Sequence, residues 1–130
     1  MFGNDHKVKR LRDVTFLADC SLNDVRLVAS RGDLVRVRAG EVVTDASQRD
    51  KQFVVVLSGE ARLEDGSRLG AGDSYGAVAL LDDSASPASL TMTRDGDVLV
   101  FGRREFASLL RRVPGFGAGL ARHLVALLAR

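Results

Sequence analysis

The 130-residue chain has 45% hydrophobic and 28% charged residues, a length and balance that fit one soluble globular domain and exclude a disordered tail. No apolar stretch approaches the roughly 20 residues of a membrane helix, and the charged start, Asn4-Asp5-His6-Lys7, is unlike a secretory signal, so a cytoplasmic location is expected. The net charge of +2 is unevenly spread: residues 1–13 carry +2, residues 14–102 carry −5 (nine basic, fourteen acidic) and residues 103–130 carry +5 (six basic, one acidic).

In chain order, residues 1–10 read as a terminal tail, although helical spacing sets in near Lys7. Ser21 with Asp24 three residues on forms a capping pair. Leu22, Val25, Leu27, Val28 and Ala29 then supply an apolar helix face, and Gly32 stops it. From Leu34 to Gly102 the period falls to two, as in Leu34-Val35-Arg36-Val37-Arg38, with Phe53 to Leu57 as a more buried strand. Turn residues recur throughout, and the Asp65-Gly66 and Asp95-Gly96 pairs are the strongest hairpin signals. Many short strands at this spacing predict a sandwich, barrel or jelly roll. From Arg103 the helical period returns: Phe106, Leu109, Leu110 and Val113 line one helix, and Pro114-Gly115 breaks it. Phe116, Leu120, Leu124 and Leu127 then line a second. The expected architecture is α+β and mostly β, with helical residues 11–32, a roll at 34–102 and two helices at 103–129, as one domain from residue 11 to 130.

One stretch interrupts the strands. Gly70-Ala71-Gly72-Asp73-Ser74-Tyr75-Gly76 is a glycine-rich turn that runs into a short apolar helix, Ala77 to Leu81, and then a polar loop as far as Pro87. Such an entry presents N–H groups without intrahelical partners, a geometry suited to anions.

These residues resemble the phosphate-binding cassette of cyclic-nucleotide-binding domains, found in catabolite activator proteins, kinase regulatory subunits and gated channels. The resemblance extends over roughly residues 11–129. It includes the Ala39-Gly40-Glu41 turn, the strand entering Ser58-Gly59-Glu60, Asp97 to Phe101, and the helix Arg104-Glu105-Phe106-Ala107-Ser108-Leu109-Leu110. It implies a cyclic-nucleotide-binding β-roll, or jelly roll, flanked by N-terminal helices and two C-terminal helices. It also implies a candidate ligand site at Gly76, Ala77, Val78, Ser86, Pro87 and Ser89.

In that family a Glu after the aromatic-Gly pair takes the ribose hydroxyl, and an Arg after the loop pairs the cyclic phosphate. The matching positions here are Ala77 and Ser86. The next residue, which ordinarily offers a backbone N–H, is Pro87, which has none. No basic residue occurs between Arg68 and Arg94, so a shift in alignment restores nothing. Losing the arginine alone removes a charge-assisted bond of about 1.5–3 kcal/mol. Weak or lost binding of cAMP and cGMP is the expectation, and no other cofactor is implied. The alternative is a working sensor that fills the phosphate site differently, with Arg122 or His123 reaching from the last helix, which caps the base in relatives.

The remaining chemistry is sparse. His6 and His123 lie in the terminal segments, so neither a cupin-like metal cluster nor a nucleophilic triad is assembled, and no enzyme is expected. Cys20 reads as a quiet, partly buried thiol. The sequence runs to Arg130 without the helix-turn-helix of bacterial relatives, so a free-standing regulatory or adaptor protein without a DNA-binding module is expected. Arg103, Arg104, Arg111 and Arg112 fit a solvated helix face. Val113, Phe116, Leu120, Leu124 and Leu127 form a possible seam for a homodimer or a protein partner. Gly117 and Gly119 read as weak points that make this helix mobile.

Overall fold

The computed structural model describes residues 2–44, 51–82 and 88–128. The chain divides into a helical unit, residues up to Arg31 together with those from Arg104, and a strand unit, Gly32–Arg103.

In the helical unit, α1 spans Phe2–Leu11, where the sequence reading placed a tail. Val8 and Leu11 are buried, and Lys7 Nζ donates to the Ala29 carbonyl of α2 at 3.4 Å. Among the described side chains, Val8 and Leu11 anchor this short and largely polar helix through packing. A 3₁₀ turn, Thr15–Leu17, buries Phe16 and Leu17. Helix α2, Leu22–Arg31, begins at the expected cap: the Asp24 N–H donates to Ser21 Oγ at 3.1 Å. Helices α4 (Arg103–Arg112) and α5 (Pro114–Leu128) meet at Val113, with Pro114 at the first position of α5, where its missing N–H costs nothing. Phe116 is the hub of this unit, edge-on to both Phe16 and Phe106 with ring centres 5.8 Å apart in each pair.

The strand unit is two four-stranded antiparallel sheets. One has the order β1 (Asp33–Val37), β8 (Gly96–Phe101), β3 (Phe53–Val56), β6 (Ser74–Tyr75). The other runs β2 (Val42–Thr44), β7 (Leu90–Arg94), β4 (Glu60–Leu63), β5 (Arg68–Leu69). Val37, Val54, Val56, Ala61, Leu90, Met92 and Val98, drawn from both sheets, form one buried cluster. Along β3 the alternate residues Phe53 and Val55 are buried as well, which explains its unbroken apolar run.

Of the two Asp-Gly signals, one makes a hairpin. Asp65-Gly66 joins the paired strands β4 and β5, with Gly66 at φ +90° and the Ser67 N–H bonded to Asp65 Oδ1. The Asp65 carboxyl is accordingly held below its ordinary range by Ser67. Asp95-Gly96 is a correction: β7 and β8 belong to different sheets, and the chain turns a corner between them. Gly96 is required there because a β-carbon would overlap the Ser58 carbonyl.

Candidate functional site

The cassette begins at the turn between β5 and β6. Asp73 closes it, accepting from the Gly70 N–H at 2.8 Å, while Gly72 N–H to Val56 O (2.7 Å) and Val56 N–H to Asp73 O (2.8 Å) tie it to β3. Register then places Tyr75 opposite Val54. Gly76 follows at φ +108°, packed so tightly that a β-carbon would overlap the Gln52 carbonyl oxygen. Only glycine meets both demands. The chain reverses there into α3 (Ala77–Leu81), whose first turn has no intrahelical acceptors for its N–H groups. From the segment before β3, Lys51 Nζ donates to the Ala79 carbonyl at 3.0 Å, placing a cation over the C-terminal half of α3.

At the far end of the loop three side chains hold Ala88 and Ser89. The Ala88 N–H donates to Tyr75 Oη, and the Tyr75 hydroxyl lies 3.3 Å from the Ala88 carbonyl. Thr44 Oγ1 donates to the same carbonyl at 3.3 Å, and the Ser89 N–H donates to Glu64 Oε1 at 3.0 Å. These anchors were not foreseen from the sequence. The available signal was Tyr75, the chain's single tyrosine, directly before Gly76.

Among the expected site residues, Gly76 and Ala77 are buried and Val78 is exposed. Ala77 is 5% exposed and presents a methyl group where the family resemblance calls for a carboxylate. Ser89 is half-buried, its N–H engaged by Glu64. Ser86 and Pro87 lie outside the described residues.

Arg122 and His123 have partners within the helical unit. Arg122 is ion-paired with Asp19, and the His123 ring stands 6.3 Å from that of Phe16. Of the anticipated seam, Val113, Phe116 and Leu120 are buried in the chain's own packing, and Leu124 is half-buried; nothing is described of the Leu127 side chain. Among the described residues, Val125 is the most exposed large apolar residue of α5. Gly119 lets α5 approach the backbone of the 3₁₀ turn at Phe16 and is a packing residue, not a weak point. Cys20 has its thiol pushed above the ordinary value, first by burial and then by Asp24 and Asp19, which keeps it protonated. Among the described residues, no group of three His, Cys, Asp or Glu side chains could hold a metal ion, and no helix is long and apolar enough to cross a membrane.

The strand unit is thus a two-sheet β-roll with a glycine-capped helix inserted before β7. The cyclic nucleotide-binding domain family matches residues 34–113, and the chain belongs to it. The cyclic AMP receptor protein of Thermus thermophilus is 34% identical over 85 residues, covering 65% of this chain and 37% of that protein. Lysophospholipase NTE1 of Phaeosphaeria nodorum is 32% identical over 90 residues, covering 62% of this chain and 6% of the relative. This chain thus spans a minor part of either protein. The regulatory subunit of a cAMP-independent protein kinase A from Trypanosoma brucei superposes with a TM-score of 0.79 at 17% identity, covering 94% of this chain and 47% of that one. A triple-substituted form of that subunit, one change being threonine to arginine, is bound to cAMP; it superposes at 0.70 with 14% identity, covering 93% and 52%.

Proposed function

We propose that this chain is a regulatory or adaptor domain whose cassette has weak or no affinity for cAMP and cGMP, and whose output is contact with another protein. The observation that carries this is the pairing of a preserved scaffold with missing ligand chemistry. Gly76 still makes its left-handed turn into α3, but the next side chain is the buried methyl of Ala77. Nowhere between Arg68 and Arg94 is there a cation to meet a cyclic phosphate. Lys51, a cation beside the cassette, donates to the Ala79 carbonyl of α3. The trypanosomal neighbour shows that such a scaffold can serve a kinase that is cAMP-independent, and that a form of it with glutamate-to-alanine, threonine-to-arginine and valine-to-alanine changes is bound to cAMP.

The domain is read as regulatory, not catalytic, because its family is a binding fold and, among the described residues, no group of three His, Cys, Asp or Glu side chains is gathered. The test is calorimetric titration of cAMP, and then cGMP, into the chain up to millimolar ligand. An Ala77→Glu, Ser86→Arg, Pro87→Ala variant is run alongside. Silence from the natural chain and binding by the variant are expected. Micromolar binding by the natural chain would overturn the proposal and favour a phosphate site built in another way.

A further inference from the structure

Charge is segregated between the two units. The helical unit carries eleven basic and five acidic residues (+6), and the strand unit carries eight basic and twelve acidic (−4). The arginines of the two units are also used differently. On the roll, Arg36 faces Asp97 at 3.5 Å, and Arg68 and Arg94 share Glu60 at 3.7 and 3.9 Å. On α4, Arg104, Arg111 and Arg112 are exposed, and among the described residues none of the three has an ion pair. Arg104 and Arg111 are seven residues apart, so they project from nearly the same side of the helix, with Arg112 beside them. Arg104 moreover stands in the first turn, where the helix dipole disfavours a cation. Glu105 shares that turn, while Arg111 and Arg112 stand in the last turn, where the dipole favours cations.

We infer that the α4 face formed by Arg104, Arg111 and Arg112 binds the phosphate backbone of a nucleic acid without reading its sequence. Three features favour this polyanion. All three cations are arginines, whose planar forks suit phosphate oxygens. No large apolar side chain of α4 is exposed, so the face lacks both the wedge that enters a lipid interface and the buried anchor that dominates protein interfaces. It also offers no Asn, Gln or exposed aromatic side chain with which to read bases. This contact is independent of the cassette and survives whether or not a cyclic nucleotide binds.

The experiment is fluorescence anisotropy of a short labelled DNA duplex of arbitrary sequence, titrated with the full chain over a range of salt concentrations. Weak binding at low salt is expected, with a log–log salt slope of about −2.7 for three phosphate contacts. Each single change, Arg104→Gln, Arg111→Gln or Arg112→Gln, is expected to reduce that slope by about 0.9, and the matching Lys variants to keep it. The slope of the unmodified chain and the Lys variants decides the matter even if a Gln variant folds poorly. No anisotropy change at low salt would overturn the inference. So would slopes unaffected by the Gln changes, or competition by polyglutamate or anionic lipid vesicles as effective as that by unlabelled duplex.

Discussion

Gly119 of α5 rests against the Phe16 carbonyl so closely that a β-carbon at this position would overlap the oxygen. Helix propensity alone favours alanine over glycine by about 1 kcal/mol. At Gly119 the overlap with fixed backbone dominates, and Gly119→Ala is expected to lower stability by about 1–3 kcal/mol. Two residues earlier, a β-carbon at Gly117 would sit 3.5 Å from Leu110 Cδ2, an ordinary contact. Gly117→Ala is therefore expected to raise stability by up to about 1 kcal/mol. Urea midpoints of the two variants check the opposite signs.

Gly76→Ala combines a left-handed backbone with an overlap at the Gln52 carbonyl. A cost of about 2 kcal/mol or more is expected, the strain of a side chain at positive φ plus displaced backbone. Thermal melts should show the loss, whereas Gly40→Ala, also at positive φ but in open space, should cost only the strain.

Tyr75→Phe leaves the ring in place and removes the partner of the half-buried Ala88 backbone. A loss of about 1–3 kcal/mol is expected for the orphaned N–H. Hydrogen exchange at the Ala88 amide should rise sharply, while the amides of β8 stay protected.

Cys20 makes a signed prediction with pH. Its folded pKa lies above the ordinary thiol value, so the folded state holds its proton more tightly than the unfolded chain does. The stability associated with the protonated thiol is whole below the unfolded pKa, and declines as pH rises through that value towards the folded one. Melting temperature should fall more between pH 7 and the alkaline range for the natural chain than for Cys20→Ser. Alkylation of Cys20 should be slow until the chain is unfolded.

The roll, the helix cap at Ser21 and the α4–α5 break at Pro114 were all legible, because each rests on local chemistry: alternation, a capping side chain, a missing N–H. Helix α1 was not, since its evidence is tertiary, Val8 and Leu11 packed and Lys7 reaching Ala29. Asp95-Gly96 misled because the same dipeptide serves a hairpin turn and a tight corner, and only the Ser58 carbonyl beside Gly96 tells them apart. The seam on α5 was read from spacing that fits packing within a chain as well as between chains. At the cassette, Gly76 and Ala77 were found by motif, but Tyr75, Thr44 and Glu64 hold the loop exit by contacts spanning 13 to 44 residues, which no local pattern encodes.

The anchoring of Ala88 bears on substitution within the loop. Tyr75 and Thr44 hold this residue through its backbone N–H and C=O, groups that every non-proline residue possesses. The side chains responsible for the attachment therefore belong to β6 and β2, outside the segment from α3 to the loop exit. The side chain at position 77 can thus change without disturbing the attachment of Ala88. An anchor made through backbone groups leaves the loop exit indifferent to the side chains of the loop itself.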